Sequence, residues 1–267
     1  MKNRMSPAPF IYVGLLMVPV YWLFAMSLKT NDEIMGSFIP YPLSPTIDNY
    51  RSIIDDPSLY NGYINAMIYV LMNVVISVLV AVPAAYAFSR LKFIGNRALF
   101  FGFLVFRMMA PAILLVPFVE IFSRLNLIDT HIAVALSHCY FNVPVAIWIL
   151  EGFISSIPPE IDESARIDGY GLVHYFGKIL LPLIAPGIAV TAFFCFMFSW
   201  GETLLAGGLT TIHAKPINGL MSRFATVLTG NISFISALSV VGLIPGLMLV
   251  IFMRNHLARG FSMGRIV

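Results

Sequence analysis

Charge is what this sequence has least of. Lys, Arg, Asp and Glu make up 11% of its 267 residues, against roughly a quarter in a soluble domain. That shortage excludes a chain whose main solvent is water. Cysteine is nearly absent too: Cys139 and Cys195 both fall inside apolar blocks, which argues against a disulfide framework or a zinc site and for small buried hydrophobes. The formal charge of +3 is carried in short loops, a distribution that orients a membrane chain and does not call for nucleic acid. There is no HExxH. Gly177-Lys178 lacks both the glycine five residues before Gly177 and a following Ser or Thr, so this chain has no phosphate-binding loop for ATP. Gly260 to Gly264 fits the serine-hydrolase elbow in letters only, without the strand that must precede it.

Long apolar blocks fill the space the charges leave. No Asp, Glu, Lys or Arg occurs between Arg4 and Lys29, Tyr63 and Ser89, Asp129 and Glu151, Lys178 and Glu202, or Arg223 and Arg254. A sixth block, Arg97 to Glu120, is interrupted only by Arg107. A spanning helix needs about 20 apolar residues. The blocks therefore predict an all-α integral membrane protein with six transmembrane helices, near residues 9–28, 64–88, 98–119, 131–153, 180–200 and 232–253. A cleaved signal peptide is the alternative for the first block, with a small-x-small site at Ala25-Met26-Ser27, but its uncharged stretch exceeds the usual 7 to 15 residues of a signal core.

Loop charges give the direction. Lys2 and Arg4, then Arg90, Lys92 and Arg97, then Arg254, Arg259 and Arg265 form basic clusters, which face the cytoplasm. The loop from Lys29 to Tyr63 carries Asp32, Glu33, Asp48, Asp55 and Asp56 against two bases, and is expected outside. Both termini are then cytoplasmic. Organisation follows as residues 1–60 for the first helix and outer loop, 61–255 for a transmembrane core, and 256–267 for a cytoplasmic tail.

Polar groups within spans are costly and usually face a bundle interior or a watery path. Arg107 lies about ten residues past Arg97, roughly 15 Å along a helix, so the expectation is a guanidinium near mid-membrane that lines a path or pairs with a carboxylate such as Glu151. Pro111 and Pro117 follow, and such prolines break the helix ladder where it lines a cavity. Asn73, Ser77, Asn142, Trp148, Ser199 and Trp200 are further candidates for a path taken by a hydroxyl-rich ligand, with helix packing as the alternative for each. His138 reads as a packed or hydrogen-bonded side chain, not a metal ligand, for want of a spaced partner. Glu202, at the outer end of the fifth helix, is a candidate contact for a soluble partner or a solvated end.

One inner loop breaks the basic pattern. Residues 156–169, Ser-Ile-Pro-Pro-Glu-Ile-Asp-Glu-Ser-Ala-Arg-Ile-Asp-Gly, predict a short helix. Pro158 or Pro159 suits its first turn, where the missing N–H costs nothing, and Glu160, Asp162 and Glu163 favour its positive end. Gly169 suits a left-handed stop. Ile161, Ser164, Ala165 and Asp168 fall at i, i+3, i+4 and i+7 and predict one narrow face of small and apolar side chains. The reading of pattern alone leaves open a surface connector docked on the protein's own helices.

Glu163-Ser164-Ala165, Gly169 three residues on, and Ile179-Leu180-Leu181-Pro182 after nine more resemble the EAA loop (156–182) of ABC-importer permeases, with Ser164 where alanine is usual. Ala85-Tyr86-Ala87-Phe88-Ser89-Arg90-Leu91, Leu114-Leu115-Val116-Pro117, Ile147-Trp148, Ala165-Arg166-Ile167-Asp168-Gly169 and Phe198-Ser199-Trp200 extend the resemblance over nearly the whole chain, closest to the maltose-type carbohydrate permeases. Gly201-Glu202 stands where that branch usually has Asn-Glu. The resemblance implies a permease subunit of an ATP-driven importer for a sugar or small polyol in a bacterial inner membrane. It implies a short cytoplasmic coupling helix between helices four and five that sits in a cleft of an ATPase chain, with Glu163, Ser164, Ala165, Asp168, Gly169 and Pro182 as coupling residues. Its implied partners are two ATPase copies carrying ATP and Mg, a second permease that is usually a different chain, and an extracytoplasmic solute-binding protein. This chain itself would bind no cofactor and catalyse no reaction. Glycerol phosphate or another small solute is the alternative cargo. An ion-driven secondary transporter, the alternative class, predicts intramembrane carboxylates and a visible internal repeat, and neither is evident.

Overall fold

The computed structural model describes residues 8–36, 38–226 and 231–263. Among these every regular element is helical. In chain order they are α1 (Ala8–Ser27), α2 (Asn31–Gly36), α3 (Asp48–Asp55), α4 (Pro57–Arg90), α5 (Asn96–Arg107), α6 (Pro111–Arg124), α7 (His131–Ser155), α8 (Pro159–Ile167), α9 (Leu172–Tyr175), a π-helical turn (Phe176–Leu180), α10 (Leu181–Leu183), α11 (Ala185–Gly201), α12 (Leu204–Leu209), α13 (Ile217–Thr226) and α14 (Ile232–Met263). Lys2, Arg4 and Arg265, which carry part of the charge bias, lie outside the described residues.

Four helices among the described residues are long and apolar enough to cross a membrane, and the number reaches six if each of two bent pairs is one span. The bends mark where the expected helices differ from the observed ones. The block 98–119 is not one helix: α5 stops at Arg107, and α6 starts at Pro111 after a turn of 95°. Ala110 is extended, with ψ 134°, as the residue before a proline prefers, and Pro111 fills the first turn of α6. The fifth expected helix bends by 78° between Leu183 and Ala185, with Pro182 and Pro186 flanking the break. The sixth runs on to Met263 instead of ending near 253. At 34 residues, α4 is longer than the roughly 20 a bilayer needs.

The chain divides into two units. The first holds residues 1–61 and 220–247. The acidic loop after α1 contains α2 and α3. Lys29 is fully buried, its Nζ donating to the Ile39 carbonyl at 2.5 Å and lying 3.9 Å from Glu33 Oε1. Glu33 Oε1 in turn accepts from the Leu43 N–H, and Asn49 Nδ2 donates to the Ser27 and Lys29 carbonyls. These bonds tie the chain after α1 to α3.

The second unit, residues 62–219 and 248–267, contains the α7–α11 pair. Small residues let these helices close up: a Cβ on Gly187 of α11 would stand 2.6 Å from Phe153 Cγ of α7. Gly208 of α12 meets Leu115 of α6 in the same way, at 2.5 Å. One apolar cluster joins Ala81, Val82, Ala85 and Tyr86 of α4 to Ala146, Ile147, Leu150 and Ile154 of α7, and to Ala165 of α8. The short helix therefore rests on the core of this unit.

Candidate functional site: the acidic helix and its anchorage

The local sequence of α8 accounts for both of its ends. Pro158 is extended, Pro159 opens the helix, and Glu160 and Asp162 lie in the first turn, where a negative charge meets the positive helix end. At the other end Gly169 takes φ 80°. Its N–H bonds the Arg166 carbonyl at 3.1 Å, and the Tyr170 N–H reaches back to Ala165 at 3.0 Å, the paired bonds of a Schellman stop.

Its two faces are unlike. Asp162 and Ala165 are buried and Ile161 is half-buried, while Glu160, Glu163, Ser164, Arg166, Ile167 and Asp168 are exposed. The expected face of Ile161, Ser164, Ala165 and Asp168 is therefore corrected: Ser164 and Asp168 turn outward. The buried line is shifted by one residue because Asp162 is drawn inward by two partners. Arg90, the last residue of α4, places its Nε 2.5 Å from Asp162 Oδ2 and donates a second bond to the Ile157 carbonyl at 2.8 Å. The Tyr175 hydroxyl donates to Asp162 Oδ1. A cavity of about 120 Å³ lies beside this joint, lined by Tyr86, Asp162, Ala165, Arg166, Tyr170, Leu172 and Tyr175. On the outward side Ile167 is 86% exposed and Val173 87%, so apolar tips stand among the carboxylates of Glu160, Glu163 and Asp168. Pro182 is exposed at the start of α10.

The polar residues of the expected path separate into two groups. Asn73, Asn142 and Ser199 are buried inside the chain. Asn142 Nδ2 donates to Asn73 Oδ1 at 2.5 Å and to the Cys195 carbonyl at 3.1 Å, and Asn73 Nδ2 donates to the Ala135 carbonyl at 3.0 Å. Ser77 sends its hydroxyl to Cys139 Sγ. These groups join α4, α7 and α11, a helix-joining role. Trp200 is also buried, stacked on Phe196 and edge-on to Tyr63.

Arg107 and Trp148 differ. Trp148 is 54% exposed on α7. Arg107 is half-buried at the end of α5, its Nε donating to the Phe141 carbonyl at 3.0 Å and its guanidinium lying 4.5 Å above the Phe198 ring. Glu151, the partner weighed for it, instead accepts the Ser155 hydroxyl.

Glu202 is half-buried and engaged within the chain. Its carboxylate accepts the N–H groups of Leu204, Leu205 and Ala206 at the start of α12 and lies 3.0 Å from His138 Nε2. His138 Nδ1 is 2.6 Å from Ser199 Oγ, so both ring nitrogens are engaged. A second carboxylate, unremarked in the sequence, holds the segment after α12. Asp129, at φ 61°, accepts the backbone N–H groups of Thr211, Ile212, His213 and Ala214. Burial would raise its pKa, but those four donors outweigh it and hold the carboxyl well below the usual carboxylate range. Nearby, Asn65 Nδ2 donates to the carbonyls of His213 and Lys215 and its Oδ1 meets His131 Nε2.

Among the described residues, four to six helices are of membrane length, and buried amides join α4, α7 and α11. Residues 74–263 match the family of the binding-protein-dependent transport system inner membrane component. The trehalose transport system permease protein of Mycobacterium tuberculosis is 32% identical over 96% of this chain and 94% of its own length. The maltodextrin transport system permease protein of Bacillus subtilis is 27% identical, over 96% and 94%. Among solved structures, a chain of a bacterial ABC transporter involved in the import of the acidic polysaccharide alginate superposes with a TM-score of 0.76 at 22% identity, covering 93% of both chains. The chain belongs to the binding-protein-dependent transport system inner membrane component family: it is a multi-pass transport subunit and not an enzyme.

Proposed function

We propose that this chain is one of two permease subunits of an ATP-driven importer, and that it passes a sugar or small polyol across a bacterial inner membrane. The observation that carries the reading is the acidic helix α8, which stands between membrane-length helices with Glu160, Glu163 and Asp168 exposed beside bare Ile167. Such a mixed surface suits a cleft of another protein, since its apolar tips gain from burial and its carboxylates select a basic partner. In this reading the chain crosses six times with both termini inside, each bent pair counting as one span. Residues 61–255 form the transmembrane core, residues 1–60 supply the first helix and outer loop, and 256–267 form the tail. Glu163, Ser164, Asp168 and Gly169 face the ATPase, Ala165 seats α8 on its own chain, and Pro182 ends the loop. ATP and Mg reside on the ATPase, and a second permease and a solute-binding protein complete the assembly.

The named cargoes of the relatives, trehalose and maltodextrin, support the saccharide class. Trp148 and Arg107 are the path candidates with exposed surface, a ring for a sugar face and a guanidinium for its hydroxyls. Arg107 also favours a second reading, an anionic solute such as glycerol phosphate or an acidic saccharide, because a guanidinium binds phosphate and carboxylate through paired donors.

Copurification tests the class. An ATPase subunit should accompany the affinity-purified chain, and Glu163→Lys or Gly169→Asp should remove it or abolish uptake. Proton-driven uptake without ATP would refute the reading. Reporter fusions at Asp48 and Arg259 test the topology, and cytoplasmic activity at Asp48 would overturn it. Arg107→Ala with unchanged uptake and affinity would take that residue out of the path.

A further inference from the structure

We propose that Arg90, Asp162 and Tyr175 form a transmission joint that makes α8 and the end of α4 move as one body when the ATPase acts. The inference rests on the coupling reading above. Covalent connection alone would pass motion of α8 only to its chain neighbours, α7 before it and the elbow of α9, α10 and α11 after it. Asp162 adds a third connection. Its Oδ2 binds Arg90, the terminal residue of the 34-residue α4, and its Oδ1 takes the Tyr175 hydroxyl at the threshold of the π-helical turn. The sequence separation from Arg90 to Asp162 is 72 residues, so no local geometry requires the pair.

Three features suit the joint to carrying movement. Arg90 and Asp162 side chains are only 11% and 9% exposed, which keeps the attraction strong and its geometry narrow. Arg90 also grips the Ile157 carbonyl just before α8, so one guanidinium holds the helix at its entry and within its first turn. Beyond Tyr175 lie the π-helical turn and the 78° bend, and π-turns are places where a helix yields. Motion of α8 is thus led stiffly into α4 and compliantly into α11. Arg90, Asp162 and Tyr175 are positioning residues, since none faces the outward side that meets the ATPase.

The test measures whether the two ends stay together. In the complete importer, with Cys139 and Cys195 changed to serine, spin labels at Ile94→Cys and Arg166→Cys report the distance from the loop after α4 to α8. The joint predicts a distance that shifts by less than about 2 Å, the scale of small helix shifts, between the nucleotide-free and ATP–vanadate-trapped states. Asp162→Asn or Arg90→Gln should broaden or shift that distance while the ATPase stays bound. The reversed pair, Arg90→Asp with Asp162→Arg, keeps a donor near the Ile157 carbonyl and should restore the narrow distribution. A large change with the native residues would overturn the proposal, as would neutral variants with an unaltered distribution. Absence of an ATPase from the purified complex is a different result, and sinks the coupling reading together with the joint.

Discussion

Asp129 and Asp162 each gather a segment of the same unit onto one carboxylate, yet they do it with different donors. Asp129 accepts four consecutive backbone N–H groups, Thr211 to Ala214. Asp162 accepts a guanidinium and a phenol from two other elements. Backbone donors fix a loop's shape whatever its side chains are, so Asp129 leaves Ile212, 79% exposed, available for whatever that loop meets. Side-chain donors depend on particular residues and bind one element to another. The first arrangement preserves a surface; the second connects moving parts.

The largest effect that would sharpen this contrast is at Asp162. Asp162→Ala strands Arg90 in an enclosed site, and the expected loss is about 3 kcal/mol, seen as a lowered thermal midpoint of the detergent-solubilised chain. A change within error would make the pair no stronger than a surface contact and break the contrast. Asp129→Ala comes next, with a loss of about 2 kcal/mol, because water can reach the freed N–H groups of Thr211 to His213 but the N–H of buried Ala214 is left without its acceptor. Its sharper signature is faster hydrogen exchange at Thr211 to Ala214 with α8 unchanged, and equal acceleration in both regions would contradict the separation of roles.

The acid response of Asp129 follows from its lowered pKa. A carboxyl lowered on folding contributes stability that is present above its unfolded pKa and is lost as pH falls through its folded one. The loop should therefore stay protected at about pH 4, where free aspartate is half protonated, and loosen only in stronger acid. Exchange that quickens already near pH 5 would show the four bonds to be weak. The smallest expected effect is that of Tyr175→Phe, which removes one hydroxyl donor to the carboxylate and leaves Arg90 paired, for a loss of about 1.5 kcal/mol in the same thermal measurement.

How much of this was readable beforehand divides along local and distant interactions. The gaps between charges located α1 and α7 to within a few residues, and Pro159 and Gly169 marked α8 correctly because caps and left-handed stops are encoded next to the helix they end. The breaks at Ala110 and Ile184 were less legible. Pro111 and Pro117 signalled a disturbed ladder in the third block and nothing was read from Pro182 beyond its place in the loop motif, while hydropathy is indifferent to a bend of 95° or 78°. The anchorage of α8 was not legible, since Arg90 reads as a basic loop residue and Asp162 as a helix-end charge until tertiary folding joins them. Likewise Asn73 and Asn142 have the chemistry of a sugar site, and only their mutual bond at 2.5 Å reveals helix joining. Lys29 reads as the polar end of α1 and proves to be fully buried.

The most direct test of the account is uptake by proteoliposomes carrying the purified importer, with radiolabelled trehalose, maltotriose and glycerol phosphate offered in turn with the solute-binding protein. A saccharide importer coupled through α8 should take up at least one saccharide only with ATP on the side that faces the ATPase, and that uptake should disappear with Glu163→Lys. Uptake that persists without ATP, or that a proton gradient alone drives, would contradict it.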